Sequence, residues 1–303
     1  MLDLYKLTVF LAAAQAGSFS AAAESLYITQ SAVSQHIHDL ESALGTRLFE
    51  RQARGVRLTA AGETLADYAR RVVQLLAEAE NALTNVEQLS SGQLRLGATP
   101  GAGVYLLPDW IQAFYGRYPR LRVALSTDVT AAIAAGLRRR ALDLGVIEGE
   151  LAADAGLASV VLQEVAQWVV LRADHPLAAA DTLPLAALHG QAFIMRPPGS
   201  HTRLWLDALL KAHDVRVVVT AEFDAPEAIK QAVIGGLGLS ILPEYVFRRE
   251  RAAGLLRALP VTDVPLTRAL RLLWARQQPF NPITRAFLRL LARSFPPLHE
   301  ILE

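Results

Sequence analysis

The sequence has no cysteine among its 303 residues. Disulfide bonds, thiolate metal sites and cysteine nucleophiles are therefore excluded, and the composition fits a reducing compartment. Lysine is also scarce, since only Lys6, Lys211 and Lys230 occur, and arginine supplies almost all of the basic charge. The 30 basic and 29 acidic residues nearly cancel. Net charge therefore points to no class of partner.

Long apolar runs are missing too. No stretch reaches the roughly 18 consecutive apolar residues of a membrane span. The early segment LTVFLAAAQAGSFSAAA imitates a signal peptide, but the preceding MLDLYK is weakly charged and a glutamine interrupts the run. We therefore expect a cytoplasmic protein. Hydrophobic residues make up 52% of the chain and charged residues 19%, which predicts a folded protein, and the length favours two or three domains.

The first sixty residues have the pattern of a helix-turn-helix. Apolar residues at helical spacing predict a first helix: Leu4, Leu7, Leu11 and Ala14. Gly17 would end this helix, and Ser20 would cap a short second one. Thr29 would cap a third helix that runs to about Leu44. Two short helices with a tight connection are typical of DNA-binding units, although such geometry also occurs without DNA.

The third predicted helix has two different faces. One is apolar: Val33, Ile37, Leu40 and Leu44. The other is polar: Gln30, Ser31, Ser34, Gln35 and His38. Glutamine and serine suit base edges in the major groove, and glutamine can pair with adenine through both atoms of its amide. Any small helical bundle also has a polar outer face, so the pattern alone leaves both interpretations open.

Four arginines follow this helix within a dozen residues: Arg47, Arg51, Arg54 and Arg57. Gly55 can turn a short hairpin that would set them against DNA phosphates or in the minor groove. Residues 1–91 hold seven basic and ten acidic residues. Local placement rather than net charge therefore supports DNA binding, and we expect a modest non-specific affinity.

A long helix is predicted from Ala61 to Leu89. Its apolar residues alternate steps of four and three: Leu65, Ala69, Val72, Leu76, Ala79, Leu83 and Val86. A helix packed on its own domain would show nearly the same spacing over this length. We favour a linker helix that pairs two subunits, because a dimer fits two-fold DNA half-sites.

Beyond residues 90–93, strand-like and helix-like segments alternate, which predicts an α/β domain with a parallel sheet. The strand-like segments are QLRLGA, RVALST and LDLGVIEG, then a second set from WVVLRADHP through AFIMRPPG, VVVTAEF and LGLSILP. A late return strand, ALRLLWAR, precedes a last helix, ITRAFLRLLARSF.

The chain resembles the LysR-type transcriptional regulators. The N-terminal motif is dense: Ala23, Leu26, residues 29–34, Ile37, Leu40–Glu41, Leu44–Gly45, Leu48–Phe49 and Arg51, followed by L-T-x-A-G at residues 58–62. LPDWIQAFYGRYPRLRV and EAIKQAVIGGLGLSILP resemble segments of the same family's effector domain, so the resemblance spans the whole chain. The Y-L-L-P, G-V-I-E-G and E-A-I-K-Q-A-V runs look most like the subgroup that governs sulfur assimilation or carbon fixation.

This resemblance implies an architecture. An N-terminal all-α winged helix-turn-helix domain would occupy residues 1–60, and a linker and dimerisation helix residues 61–91. An α/β effector domain, two-lobed and periplasmic-binding-protein-like, would occupy residues 92–303. Lobe I would hold about 92–163 and 269–303, and lobe II about 164–268. The chain would form a homodimer or homotetramer through the linker helix and the effector domain. It would bind promoter or operator DNA as a double strand, and need no cofactor and no metal.

The resemblance also implies residue roles. DNA-binding positions would be Gln30, Ser31, Ser34, Gln35, His38, Arg51, Arg54 and Arg57. The effector, a metabolite or inorganic anion, would meet Thr99, Pro100, Gly101, Thr130, Glu148, Arg196, Ser200, His201, Thr202 and Phe223. Several of these have simpler explanations. Thr130, Ser200 and Thr202 are also placed to be helix N-caps. His201 is also explained as a surface histidine, and Arg203 as the partner of a carboxylate.

Two other functions compete with a regulator. A solute-binding protein for transport would explain residues 92–303 but would leave the helix-turn-helix and the arginines without a role. An enzyme could be built on the same α/β frame, yet no local motif ties a serine, a histidine and an aspartate together. We therefore expect a regulator controlled by a small molecule between two lobes, and not an enzyme.

Overall fold

The computed structural model describes residues 2–52, 55–82, 92–151, 154–277 and 279–302. Contacts between Cα atoms divide the chain into two compact units, Met1–Asn85 and Val86–Glu303. Within the described ranges, no helix has both the length and the apolar character that crossing a membrane requires.

The first unit consists of helices and one hairpin: α1 (Leu4–Ala16), α2 (Phe19–Leu26), α3 (Gln30–Leu44), β1 (Phe49–Arg51), β2 (Val56–Leu58) and α4 (Ala60–Ala82). Helices α1, α2 and α3 pack around fully buried side chains such as Phe10 and Leu40. The predicted helix-turn-helix with a following hairpin is confirmed.

Local capping signals place the helix ends. Gly17 and Gly45 end α1 and α3 in the left-handed conformation, at φ 61° and 65°. The Thr29 hydroxyl caps α3 by accepting from the Ala32 amide at 3.2 Å, as predicted. The prediction that Ser20 caps α2 is wrong. Ser18 has the extended cap conformation, because α2 already begins at Phe19, whose ring packs edge-on against a hairpin aromatic.

The apolar faces predicted for α1 and α3 agree only in part with the buried residues. Helix α1 contacts α2, α3 and α4 and therefore buries a wider face than predicted. Its buried residues are Leu7, Val9, Phe10 and Ala13. Leu4, at its start, is 39% exposed. In α3 the first three predicted residues are buried, whereas Leu44 is 38% exposed because the helix ends there.

The hairpin between β1 and β2 depends on a glycine. Gly55 has φ 93°, a left-handed conformation that favours glycine. A Cβ atom at this position would lie 2.3 Å from the carbonyl oxygen of Gly17. The same oxygen accepts a 2.8 Å hydrogen bond from the Val56 amide. The hairpin is therefore fixed to the turn between α1 and α2.

Helix α4 confirms the predicted long helix as far as Ala82. In the predicted seam Ala69 is buried, whereas Val72 and Leu76 are 47% and 44% exposed. The rest of that prediction falls outside the described side chains: Ala79, Leu83 and Val86.

The second unit alternates strands and helices. Its first half has β3 (Gln93–Ala98), α5 (Pro100–Tyr105), α6 (Leu107–Arg117), β4 (Arg122–Thr127), α7 (Thr130–Arg138), β5 (Leu144–Glu148) and β6 (Leu157–Arg172). Its second half has β7 (Ala192–Met195), α8 (His201–Ala212), β8 (Val218–Glu222), α9 (Pro226–Ile234), β9 (Ser240–Pro243), α10 (Arg248–Ala252), β10 (Leu256–Leu259), β11 (Thr267–Ala275) and α11 (Pro282–Leu291).

The main sheet has the strand order β10-β6-β11-β5-β3-β4, and β9 also pairs with β6. Strand β3 runs parallel to β4 and β5, but β11 is antiparallel to β5 and β6, and β9 and β10 are antiparallel to β6. The prediction of a parallel sheet is therefore confirmed for β3, β4 and β5 but is wrong for the sheet as a whole. The physical reason is that the 16-residue strand β6 and the return strand β11 form one long antiparallel pair.

Strand β6 defines two lobes. The first half of β6 joins β11, β5, β3 and β4, with α5, α6, α7 and α11 around them; we call this part lobe I. The second half of β6 joins β9 and β10, near the parallel pair β7–β8, with α8, α9 and α10; this is lobe II. The two lobes thus share β6, and the cleft described below opens between them.

Candidate functional site

The polar face of α3 is exposed on the first unit. Gln30, Ser31, Gln35 and His38 are exposed and Ser34 is half-buried. The opposite face carries Val33, Ile37 and Leu40 into the core. The five predicted DNA-contacting residues of this helix therefore share one side, and the buried side holds them in place.

Gln35 is held by a hydrogen bond within its own helix. Its amide nitrogen donates to an Asp39 carboxylate oxygen at 2.8 Å, and Lys6 Nζ lies 3.0 Å from the other oxygen. The hydrogen bond from Lys6, followed by that from Gln35, holds the pKa of Asp39 below its usual range. The bond to Asp39 uses one of the two amide hydrogens of Gln35. The second hydrogen and the amide oxygen remain for a base.

The hairpin carries its basic residue outward. Arg57 is exposed and stands opposite Glu50 in the β1–β2 register. Arg47, just before β1, is exposed as well. The side chain of Arg51 and the whole of Arg54 lie outside the described part of the chain.

The second unit has a cleft between its lobes, with a volume of about 770 Å³ including the open mouth. Small-molecule sites usually have this size. Nine of the ten predicted effector residues line it: Thr99, Pro100, Gly101, Thr130, Glu148, Arg196, Ser200, His201 and Thr202. Phe223 does not line it and packs instead against the larger apolar core.

A buried ion pair forms the floor of the cleft. Arg268 Nη1 lies 2.9 Å from Glu148 Oε1, and Nη2 donates to the Glu148 carbonyl oxygen, also at 2.9 Å. Their side chains are only 4% and 8% exposed. Gly149 makes room for this pair, since a Cβ atom there would lie 2.3 Å from Arg268 Nη2. Sequence reasoning missed Arg268, because its partner is 120 residues away.

Glu148 has both carboxylate oxygens engaged. Besides Arg268, Gln167 donates to Oε1 at 3.3 Å, and the Tyr245 hydroxyl donates to Oε2. Burial, and then the nearby Glu148 charge, raises the pKa of Tyr245 well above its usual value, so this hydroxyl keeps its proton. Within this structure Glu148 acts as the counter-ion of Arg268.

Two polar groups that line the cleft are buried without a hydrogen-bond partner among the described residues: Thr99 Oγ1 and Arg196 Nε. Thr99 stands at the cap of α5 but makes no capping bond. Burial lowers the pKa of Arg196, and the charge of Asp224 opposes this shift. Arginine nevertheless remains cationic in proteins. The cleft therefore presents an unsatisfied hydroxyl and one unsatisfied guanidinium nitrogen.

Three predicted residues have structural partners of their own. Ser200 caps α8 by accepting from the Arg203 amide at 3.1 Å, so its simpler explanation holds. The Thr202 hydroxyl lies 2.9 Å from Arg268 Nη1, a contact that crosses from lobe II to the floor. His201 Nδ1 lies 3.2 Å from the carbonyl oxygen of Glu150 in lobe I.

Two further expectations are settled by contacts. Arg203 pairs with Asp207 and Glu222, which confirms its explanation as a carboxylate partner. Thr130 is the first residue of α7 rather than its cap, and it is 4% exposed. Helices α7, α8 and α9 all begin at the cleft, where their free amides favour anions.

A helix-turn-helix unit and a two-lobed unit with a ligand-sized cleft, joined in one chain, define a DNA-binding regulator that responds to a small molecule. The comparison with protein families agrees. Residues 4–63 match the bacterial regulatory helix-turn-helix protein, lysR family, and residues 87–296 match the LysR substrate binding domain. The chain belongs to the LysR family of transcriptional regulators.

Two of the similar proteins cover nearly the whole chain, and a third covers two thirds of it. A probable RuBisCO transcriptional regulator from Synechocystis sp. is 32% identical over 99% of this chain and 88% of its own length. Full-length OxyR from Pseudomonas aeruginosa is 25% identical, with a TM-score of 0.73 over 98% of this chain and 97% of its own. The CcmR regulatory domain from Synechocystis, solved in complex with 2-PG, is 32% identical, with a TM-score of 0.62 over 67% and 97%.

These findings confirm the predicted class of fold and of function. The chain is a DNA-binding transcriptional regulator with a winged helix-turn-helix domain and a two-lobed effector domain. Of the two subgroups suggested by its sequence runs, carbon fixation is the one that the relatives' names support.

Proposed function

We propose that this regulator controls genes of carbon fixation and that its effector is a small organic anion held in the cleft. The observation that carries the proposal is the pair of unsatisfied groups, Arg196 Nε and Thr99 Oγ1. Buried polar groups normally have partners. A carboxylate or phosphate oxygen would supply them. The relatives named for RuBisCO, and the 2-PG bound to the related CcmR domain, support both parts.

Among the described residues, the cleft offers its ligand one cation that is not paired with a carboxylate. Arg268 is neutralised by Glu148 at 2.9 Å, so Arg196 is the lining arginine without a carboxylate contact within the described ranges. The start of α8 adds partial positive charge close to Arg196. One guanidinium, hydroxyl groups and helix amides suit one anionic group at the bottom of the cleft.

Calorimetric titration of the full-length protein with 2-PG tests this proposal. Arg196→Gln should weaken binding about tenfold or more, because a charge-assisted hydrogen bond is lost in a desolvated site. Arg216→Gln is the matched control, since Arg216 is an exposed arginine of lobe II outside the cleft. Binding of 2-PG that is equal in Arg196→Gln and wild type would remove the anion site from this cleft.

We also propose that α3 reads bases and that the hairpin holds the DNA backbone. Gln30, Ser31, Ser34, Gln35 and His38 would face the major groove. Arg51, Arg54 and Arg57 would meet phosphates or the minor groove. The exposure of the polar α3 face and of Arg57 supports these proposed roles.

The DNA roles can be separated by a salt series on the regulator's own upstream region. Gln30→Ala combined with Ser34→Ala should abolish sequence preference and keep the slope of affinity against salt concentration. Arg57→Gln should weaken binding to all sequences and lower that slope by about one phosphate contact. If the double variant keeps its sequence preference, the bases are read elsewhere.

The remaining expectations stay proposals as well. We propose domains at residues 1–60, 61–91 and 92–303, and an assembly of two or four copies through the linker helix and the effector domain. We also propose a cytoplasmic location and no enzymatic activity. Family membership supports the last two, since the relatives are named as regulators. Limited proteolysis with cleavage near residue 91 would test the last domain boundary. Turnover of any metabolite by the purified chain would contradict the proposal of no activity.

A further inference from the structure

Lys230, on α9 of lobe II, is the centre of a polar cluster beside the cleft. Its side chain is 3% exposed. Its Nζ atom lies 2.7 Å from Glu250 Oε1, 2.8 Å from Glu227 Oε2 and 3.0 Å from the Tyr105 hydroxyl. The ammonium thus contacts three side chains and also donates to the Val246 carbonyl oxygen at 3.3 Å. Its carboxylate partners belong to α9 and α10.

Tyr105 is the member of the cluster that comes from lobe I. It is the last residue of α5, whereas Glu227, Lys230 and Glu250 belong to lobe II. The Tyr105 hydroxyl accepts from Lys230 and donates to Glu227. Lys230 Nζ also lies 5.1 Å from the centroid of the tyrosine ring. The Tyr105 hydroxyl therefore connects lobe I to lobe II through the Lys230 ammonium and the Glu227 carboxylate.

The two helices that Tyr105 joins also form walls of the cleft. Helix α5 begins at Pro100 and α9 at Pro226, and both prolines line the cleft. Near these starts, a Cβ atom on Gly101 would lie 3.0 Å from the Tyr245 hydroxyl and 3.8 Å from Pro226. The distance between α5 and α9 is thus set by close packing at the cleft and by the Tyr105 bonds one helical turn further away.

The polar groups of the cluster fix the geometry between the lobes, which apolar packing would not do. Burial, and then the hydrogen bond to Glu227, raises the pKa of Tyr105 to about 12, so the hydroxyl remains a donor. Glu250 Oε2 is buried without a partner in the part of the chain described. Apolar side chains of similar volume often stabilise such a position as well or better. What the polar cluster adds is a defined geometry between the lobes.

We propose that Tyr105 is a positioning residue for the effector cleft, since its hydroxyl fixes α5 of lobe I to Glu227 and Lys230 of lobe II. The inference rests on the proposed effector site. The bond maintains the lobe separation at which both walls reach a ligand. Without it, open forms become populated, and the apparent affinity falls in proportion to the fraction of competent molecules.

Tyr105→Phe in the full-length protein tests the role, because it removes the hydroxyl and keeps the ring. Lys230 retains both carboxylates in this variant, so we expect a folded protein with almost unchanged thermal stability. Affinity for 2-PG should fall about tenfold, a difference of ~1.4 kcal/mol. Tyr115→Phe is the control, as Tyr115 is 57% exposed on α6 of the same lobe.

A second measurement reports the lobe separation without any ligand. Because the chain has no cysteine, Gln112→Cys on α6 and Ala208→Cys on α8 take one spin label in each lobe. Tyr105→Phe should broaden and lengthen the distance distribution, and Tyr115→Phe should leave it as in the background protein. An unchanged distribution overturns the proposal, even if affinity falls. Failure of wild type to bind 2-PG would count against the proposed effector, and the distance measurement would still decide the role of Tyr105.

Discussion

Tyr27 is a residue whose backbone and side chain both contradict its usual preferences. It ends α2 in the left-handed conformation, with φ 56° and ψ 40°, and its side chain is 96% exposed. A side chain with a Cβ atom loses ~1–2 kcal/mol in this conformation, whereas asparagine tolerates it. The tyrosine ring also gains nothing by burial, so the fold of the first unit does not explain this residue type.

Tyr27→Asn should therefore stabilise the first unit by up to ~1 kcal/mol, because strain at the turn is relieved. Urea denaturation followed by circular dichroism measures the change. Tyr27→Ala keeps a Cβ atom without the local hydrogen bonding of asparagine, and it should give little or no gain. Equal stabilisation by both substitutions would mean that loss of the exposed ring, rather than relief of strain, is responsible.

Glu227 should contribute to stability in a pH-dependent way. Burial raises its pKa, but hydrogen bonds from Gln231, Lys230 and Tyr105 outweigh burial and bring the pKa to about 2. The ordinary value is 4.5, so the contribution is complete above about pH 4.5 and is lost as the pH falls towards 2. The stability difference between wild type and Glu227→Gln should shrink between pH 5 and pH 3. A difference that stays constant over this range would contradict the low pKa.

At the scale of elements, helix ends were the most predictable features. Thr29, Gly17 and Gly45 act through neighbours within five residues, so local sequence reveals them. Ser18 and Ser20 stand two residues apart, and the local sequence does not distinguish them. In the structure Ser18 is the cap, and the Phe19 ring that follows it packs edge-on against Phe49. Strand β6 was recognised only from Trp168 onward. Its first half is a strand because it pairs with β11, about a hundred residues later.

Loss of the α3 cap should affect both stability and DNA binding. Thr29→Ala removes the hydroxyl that accepts from the Ala32 amide, at a cost of ~1 kcal/mol. The first turn, with Gln30 and Ser31, would then fray, and affinity for operator DNA should fall several-fold. Thr64→Ala is the control, since its exposed hydroxyl only bonds to the Ala60 carbonyl within α4. Operator affinity equal to that of wild type would show that the cap does not support the DNA-binding face.

At the scale of the whole molecule, local patterns identified both units, but not the pairing of distant segments. Segments such as residues 93–98 and 122–127 were located to the residue as β3 and β4. The antiparallel return of β11 and the ion pair between Arg268 and Glu148 join segments about 120 residues apart. The hydrophobic periodicity of a sequence does not show which distant segments pair. Nine of the residues named from the resemblance line the cleft, whereas Arg268 and Tyr245 emerged only from the folded chain.

Assembly should depend on an apolar row that the first unit leaves exposed on α4. The row consists of Tyr68, Val72, Leu75 and Leu76, each between 44% and 60% exposed. Leu75→Glu should shift the protein to smaller species in light scattering, because a buried carboxylate opposes helix pairing. Arg70→Glu places the same charge on another side of α4 and should leave the molar mass unchanged. Equal masses for wild type and Leu75→Glu would exclude this row from the interface.

The distribution of tryptophan has an optical consequence. All four tryptophans, at positions 110, 168, 205 and 274, belong to the second unit, so indole emission reports on that unit alone. The guanidinium carbon of Arg268 lies 5.4 Å from the centre of the Trp205 ring, beside the cleft. An anion that draws Arg268 away from Thr202 changes the electric field across this indole. The emission wavelength of the unlabelled regulator should therefore shift when ligand enters the cleft, and under excitation selective for tryptophan the first unit should contribute nothing to the spectrum.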